Sequence, residues 1–526
     1  MKMLLQSLRA ALLLPGLLLT SAFGQATIPA ATSGNWTDNA TWSGGVVPGA
    51  ADTASFSAGV LTLDANVTVG ALVFGAEGTL TGADTTLTVL GNLTLNLEVG
   101  TANEHLFATS GNITVNSLGS TDLFAPAGTG AGLSDNNTGT AHWNNQAGAT
   151  FTLHDSASLI TAATGSVFTN AAGASLVHTG TGSAQVQWAL DNAGTVEVLP
   201  GGTLTLTGPV AQDNGAGTLT GGGWIVRDNA TLIFPGNSSF TTLSPGAAVT
   251  LDGANAVFAP LDALTTNSGS FALLNGRSFT VAGGADFNNN GALIVSGTNS
   301  TFVVGGNLLV GAGGNGSLTV APSGLVSTGG NVTLGGGIGT SGTLNLNTGG
   351  TLQLGGAHGL QAGPGNVVFN WNGGTLQVTG GDLTTSVSAT LGNATASTLD
   401  TTSLNATWSG NLSGPGSLVK AGSGTLTLSG VNTYAGSTAI TNGTVALIGG
   451  AALSDTSDVN LTSPNSALQV NTNETIGSLT GVAGSTVTLG NDTVLTAGGS
   501  NANTTYAGSI GGSNGSSGLA KNGAAH

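Results

Sequence analysis

The chain has 526 residues, of which 90 are Gly, none is Cys and only 6% are Asp, Glu, Lys or Arg. A globular domain is normally about 25% charged and roughly 7% Gly, so an ordinary enzyme composition is excluded; so are collagen, for want of a strict Gly-X-Y triplet, and charge-driven disorder, because 39% of the chain is hydrophobic. A formal net charge of −17 without any cluster of Lys or Arg excludes nucleic-acid and anionic-lipid binding.

The first predicted element is a secretory signal peptide over residues 1–24. Lys2 and Arg9 supply the positive start, Ala10 to Leu19 the apolar run, and Ala22 and Gly24 the small residues before a cut. Cleavage after Gly24 makes Gln25 the first mature residue. The mature chain keeps four basic residues, Arg227, Arg277, Lys420 and Lys521, against 23 acidic ones, a net charge of −19. Export normally invites disulfides; with no Cys, stability must come from strand stacking alone.

No segment after residue 24 carries a helical pattern. Residues 25–100 form a Trp-bearing N-terminal section whose runs alternate apolar and polar residues: Leu61-Thr62-Leu63, Val67-Thr68-Val69, Leu87-Thr88-Val89, Leu93-Thr94-Leu95. Period two over three to five residues, punctuated by Gly, predicts short strands and turns. Trp36 and Trp42 have two readings here. They cover the open N-terminal end of a solenoid as part of a cap, or they are exposed rings that stack on sugar faces.

Residues 101–400 repeat themselves. Gly306-Asn307-Leu308-Leu309-Val310-Gly311, followed by Gly316-Ser317-Leu318-Thr319-Val320, recurs as Gly330-Asn331-Val332-Thr333-Leu334-Gly335, followed by Gly342-Thr343-Leu344-Asn345-Leu346. The first block thus steps from Gly306 to Gly330, and the second, slightly further, from Gly316 to Gly342. A second pair of units opens at Asn170 and Asn192, each Asn leading through a Gly turn into a strand. Such periods predict one solenoid coil per unit. The fold class is therefore all-β, a right-handed parallel β-helix with Gly at the corners, Val, Leu, Ile and Ala inside and Thr, Asn and Ser outside. At ~22 residues per coil the mature chain makes roughly 23 coils, a rod on the order of 110 Å long.

The same section holds the residues that chemistry would need. His105, His142, His154 and His178 show no His-x-His or His-x₃-His pair, so no metal site is expected. His154-Asp155-Ser156 reads as a surface turn. Arg227 has Asp228 beside it and little else acidic nearby in sequence, and Arg277 has nothing acidic at all. Gly283-Gly284-Ala285-Asp286-Phe287-Asn288 has the look of a calcium-binding nonapeptide without its repetition. No catalytic residue and no cofactor are expected.

Residues 401–526 carry a different motif. It runs Leu418-Val419-Lys420-Ala421-Gly422-Ser423-Gly424-Thr425-Leu426-Thr427-Leu428-Ser429-Gly430-Val431-Asn432-Thr433-Tyr434-Ala435-Gly436, and Lys521 and Tyr506 begin to repeat it. Gly422-Ser423-Gly424 and Gly508-Ser509 are chance approximations to a nucleophile motif inside this repeat. The stretch closely resembles the autotransporter-associated β-strand repeat, of the form L-x-K-x-G-x-G-T-L-T-L-S-G-x-N-T-Y-x-G. Lys420, Gly422, Gly424, Gly430, Asn432, Tyr434 and Gly436 fall on that form. The N-terminal run from Gly34-Asn35-Trp36 through Trp42 to Phe56 is similar to the opening of many such bacterial surface proteins.

The resemblance implies a secreted β-helical passenger of the type V kind, at or released from the surface of a Gram-negative-type cell. Passengers of this kind are adhesins, enzymes or plain scaffolds. The expected role is a structural or adhesive rod, with glycans or host and neighbour-cell surface molecules as partners; the alternative is a polysaccharide-acting β-helix lyase or hydrolase. Autotransporters end in a transmembrane barrel with aromatic girdles, and residues 427–526 hold two Tyr, no Trp and no Phe. The expectation is that the barrel is not encoded here, that membrane contact runs only through a missing or separate translocator, and that the last repeat copy is incomplete. Genomic sequence beyond the codon for His526 would check this.

Overall fold

The computed structural model describes residues 26–96, 112–125, 132–135, 139–161, 165–356, 358–393, 395–512 and 515–523. The expected signal peptide, Gln25, His105 and His526 lie outside the described residues. About 53% of the chain is strand, wound into a parallel β-solenoid of about 19 turns. At ~4.8 Å per coil this is a stack on the order of 90 Å.

Three strands make a coil in the middle of the solenoid. Asn315–Val320, Leu325–Thr328 and Val332–Leu334 form one, and Ser341–Asn347, Thr351–Leu354 and Leu360–Ala362 form the next. Each strand pairs in parallel with its counterpart one coil later: Leu318 with Leu344, Val326 with Leu352, Val332 with Leu360. The steps from Leu318 to Leu344 and from Val332 to Leu360 are both longer than the expected coil. Extra residues are absorbed in the corners, where they cost little, because the ladder constrains only the strands. Fewer turns than the expected 23 follow.

The repeats read from the sequence are the stacking registers. Leu308 pairs with Val332 and Asn170 with Asn192, the same partners that aligning the repeat units gives. Strand length departs from expectation near the N-terminus. Leu61-Thr62-Leu63 is the end of an eleven-residue strand, Thr53–Leu63, which pairs with the twelve-residue strand Ala71–Gly82. A register shift between Phe56 and Ala58 bends this pair around a corner, so the chain turns without leaving the ladder.

Inward side chains stack in columns of like residues and form a single core cluster running from Ile28 to Leu495. All seven Trp lie in this core, each at most 2% exposed. Asn also enters it. Asn145, Asn170 and Asn192 are buried in consecutive coils, each of the first two donating an amide N–H to the next Oδ1 at 2.9 and 2.8 Å. Asn267 and Asn289 form a second ladder at 2.8 Å. Read as outward turn formers, these Asn are instead internal corner braces. An amide is donor and acceptor at once, so Asn170 both accepts and donates within its column, while Asn145 Oδ1 and Asn267 Oδ1, at the start of the two ladders, stay without a partner.

Candidate functional site

The motif residues 418–447 build two coil sections from the strands Leu418–Ala421, Thr425–Leu428, Thr438–Ile440 and Gly443–Leu447. Coil spacing tightens here: Leu418 stacks on Thr438, a shorter step than in the middle of the solenoid. Lys420 points into the core and is fully buried. Its ammonium donates to the carbonyls of Ala421 and Gly422 at 2.8 Å and, from the following coil, of Asn442 at 3.2 Å. Burial pushes its pKa down to about 8, against the pull of Asp400.

Tyr434 lies in the same interior, also fully buried, and burial pushes its phenol up to about 12. Its hydroxyl meets Thr438 Oγ1 at 2.5 Å, which meets Ser457 Oγ at 3.3 Å. Asn432 accepts from the Leu412 N–H at 2.7 Å and donates to the Ala452 carbonyl at 2.7 Å, bracing three coils. Glu474 is buried, its carboxylate accepting from Ala452 and Leu453 N–H, and burial holds its pKa up. Gly424 and Gly430 mark close stacking. A Cβ on either would land on a carbonyl oxygen of the preceding coil, that of Leu404 or Gly410. Gly422 adopts φ +79°, and Gly436 lies against the Gly416 carbonyl. Each of the seven motif residues therefore acts on coil stacking, and none faces solvent with free chemistry.

Trp36 and Trp42 pack edge to face with centroids 5.0 Å apart, and Trp42 Nε1 donates to the Trp36 carbonyl at 2.8 Å. Both are buried, so neither ring face is available to a sugar. The glycan reading of these two residues is corrected on that ground.

The other candidates are dispersed along the solenoid. His154 pairs with Asp122 at 2.9 Å and stacks on Phe124 with centroids 4.0 Å apart, rather than using Asp155. Among the described residues no three His, Asp or Glu converge as a metal site would require. Asp286 is occupied in capping Asn307 N–H at 2.7 Å. Ser423 spends its hydroxyl on the Thr402 carbonyl at 3.1 Å. Arg227 corrects a sequence expectation, for it has two acidic partners. Glu197 meets it at 2.7 Å and Asp252 at 2.5 Å, from the coils on either side. They lie one coil away in each direction, so the coil period was the signal that could have found them. Arg277 likewise feels the charge of Asp262. Glu474 gave no sequence signal, being one acid in a polar run.

A shallow cleft at the C-terminal end is lined by Ser478, Leu479, Tyr506, Ile510 and Lys521, with no Asp, Glu or His among its lining residues. Lys521 donates to Gly523 O at 3.0 Å, as Lys420 does to Gly422, but it is exposed.

The family model of the passenger-associated-transport-repeat matches residues 418–447, the section built around Lys420. The chain carries this transport repeat. No curated protein and no solved structure matches the chain. The passenger-associated-transport-repeat and the parallel solenoid together fit an autotransporter passenger repeat protein. The repeat implies export and exposure at the cell surface.

Proposed function

We infer that this chain is an exported passenger rod that acts by structural or adhesive surface contact. The observation that carries the reading is the passenger-associated-transport-repeat at residues 418–447, seated in register in a parallel solenoid. Export by the Lys2-to-Gly24 signal segment fits that repeat. The outward polar columns support contact through amides and hydroxyls: Asn370 donates to Asn345 at 2.9 Å, and Asn372 to Asn347 at 3.0 Å. The seven Trp rings take no part in that contact, because they are interior.

The test is a glycan and matrix-protein binding screen on residues 25–526, run beside a polysaccharide degradation assay. The expected result is saturable retention on a glycan or matrix surface with no new reducing ends and no unsaturated product. Release of either product from a polysaccharide would overturn the rod reading in favour of an enzyme.

A further inference from the structure

Both buried amide ladders run one way. Each Asn donates toward the following coil, and the last of each run finds a backbone carbonyl: Asn192 Nδ2 donates to Gly223 O at 3.2 Å and Asn289 Nδ2 to Ser317 O at 2.8 Å. The first acceptor of each run, Asn145 Oδ1 and Asn267 Oδ1, is fully buried and receives no donor from the described residues. Turning the Asn145 amide over does not mend this. Its Nδ2 already serves two acceptors, Asn170 Oδ1 at 2.9 Å and the Ser175 carbonyl at 2.8 Å, which an oxygen in its place would repel.

What lies behind Asn145 differs from what lies behind Asn267. Ser117 is the register partner of Asn145 in the preceding coil, and its Oγ sits 2.8 Å from Thr121 Oγ1, both side chains being fully buried. Two hydroxyls carry two hydrogens, and their mutual bond uses one. The other hydrogen finds no acceptor among the described residues. One corner thus holds an unspent O–H and, a coil later, an unspent amide oxygen, and the two do not meet directly. Behind Asn267 stands Leu243, whose side chain has no polar atom.

We propose that this corner binds one water molecule, which accepts from the Ser117–Thr121 hydroxyl pair and donates to Asn145 Oδ1, completing the ladder at its N-terminal end. A buried water needs about two to four polar partners, and the three side-chain oxygens of Ser117, Thr121 and Asn145 supply them. A cation is the poorer occupant, because three neutral oxygens do not repay its lost hydration. Beside Leu243 a water would have Asn267 Oδ1 alone, so the second ladder stays dry. The two ladders share one hydrogen-bonding pattern and differ in hydration, and the residue one coil earlier, Ser117 or Leu243, makes the difference.

Magnetic relaxation dispersion of the solvent nuclei counts waters held for longer than the protein tumbles, and it runs on the full chain in solution. Ser117→Asn puts an amide one rung earlier, where its nitrogen can donate to Asn145 Oδ1 and its oxygen can accept from Thr121. The expected result is the loss of one long-lived water against the wild type. An unchanged count in a folded Ser117→Asn overturns the proposal. Should that variant fold poorly, wild-type crystals decide. Solvent density within hydrogen-bond distance of Asn145 Oδ1 and of the Ser117 or Thr121 hydroxyl supports the water. An empty corner, or density that strengthens when rubidium replaces sodium, overturns it.

Discussion

Lys420 stands where its column otherwise places hydrocarbon. Its column runs Phe279, Phe302, Val326, Leu352, Leu376, Leu399, Lys420, Ile440 and Leu461. The three carbonyls around it are corner groups of the narrow coils, and the ammonium supplies the donors they lack. Because the folded pKa of about 8 lies below the unfolded 10.5, the unfolded chain holds the extra proton between those values. Stability must therefore rise as the pH is taken from 8 to 10, by at most ~3 kcal/mol, while above pH 10 the raised Tyr434 phenol acts in the opposite direction. Urea unfolding at several pH values, followed by far-UV circular dichroism, checks this. Lys420→Met should flatten the rise, and a wild type that loses stability across the window would contradict it.

At the scale of the element, the unit of stability is the column rather than the strand. The Asn145, Asn170 and Asn192 ladder shows why. Asn170 accepts from Asn145, donates to Asn192 and also donates to the Thr195 carbonyl at 3.0 Å. Truncation leaves buried polar groups on both neighbouring coils without partners, and each such group costs about 1–3 kcal/mol. Asn170→Ala should destabilise by roughly 2–4 kcal/mol, and a double-mutant cycle with Asn192→Ala should give a coupling of at least ~0.5 kcal/mol. Additive losses would mean that the ladder is a row of independent contacts. The offset from Asn170 to Asn192 was legible in sequence, but the inward direction of the ladder was not, because Asn in a Gly-rich corner has the same composition signal whether it points in or out.

For the whole molecule, contacts run between adjacent coils along one continuous core. A nearest-neighbour array loses all-or-none behaviour as it lengthens. The reporters are unevenly spread: the Trp lie between Trp36 and Trp408, while Tyr434 and Tyr506 report the transport-repeat end. Denaturant transitions followed by Trp fluorescence, Tyr fluorescence and far-UV circular dichroism should not superimpose. Three coincident curves would show one cooperative unit and contradict the array. The dichroism itself should show β-structure without helical minima, since the helical segments among the described residues are four 3-10 turns of three residues each.

Sequence alone determined the periodic part of this protein. Alternation of Leu and Thr sets which side faces inward, and recurrence of Gly-Asn units sets which residues stack, because both rules act on neighbours along the chain or one coil away. Leu308 on Val332 and Leu318 on Leu344 were readable for that reason. The motif around Lys420 was readable as a pattern too, but its physical role was not. Only the tertiary structure decided that Lys420, Tyr434 and Glu474 are interior, that Arg227 sits between Glu197 and Asp252, and that Trp36 and Trp42 close on each other. Corners of variable length separate these residues, and corner length shifts which side chain meets which without leaving any mark on the alternation that the sequence displays.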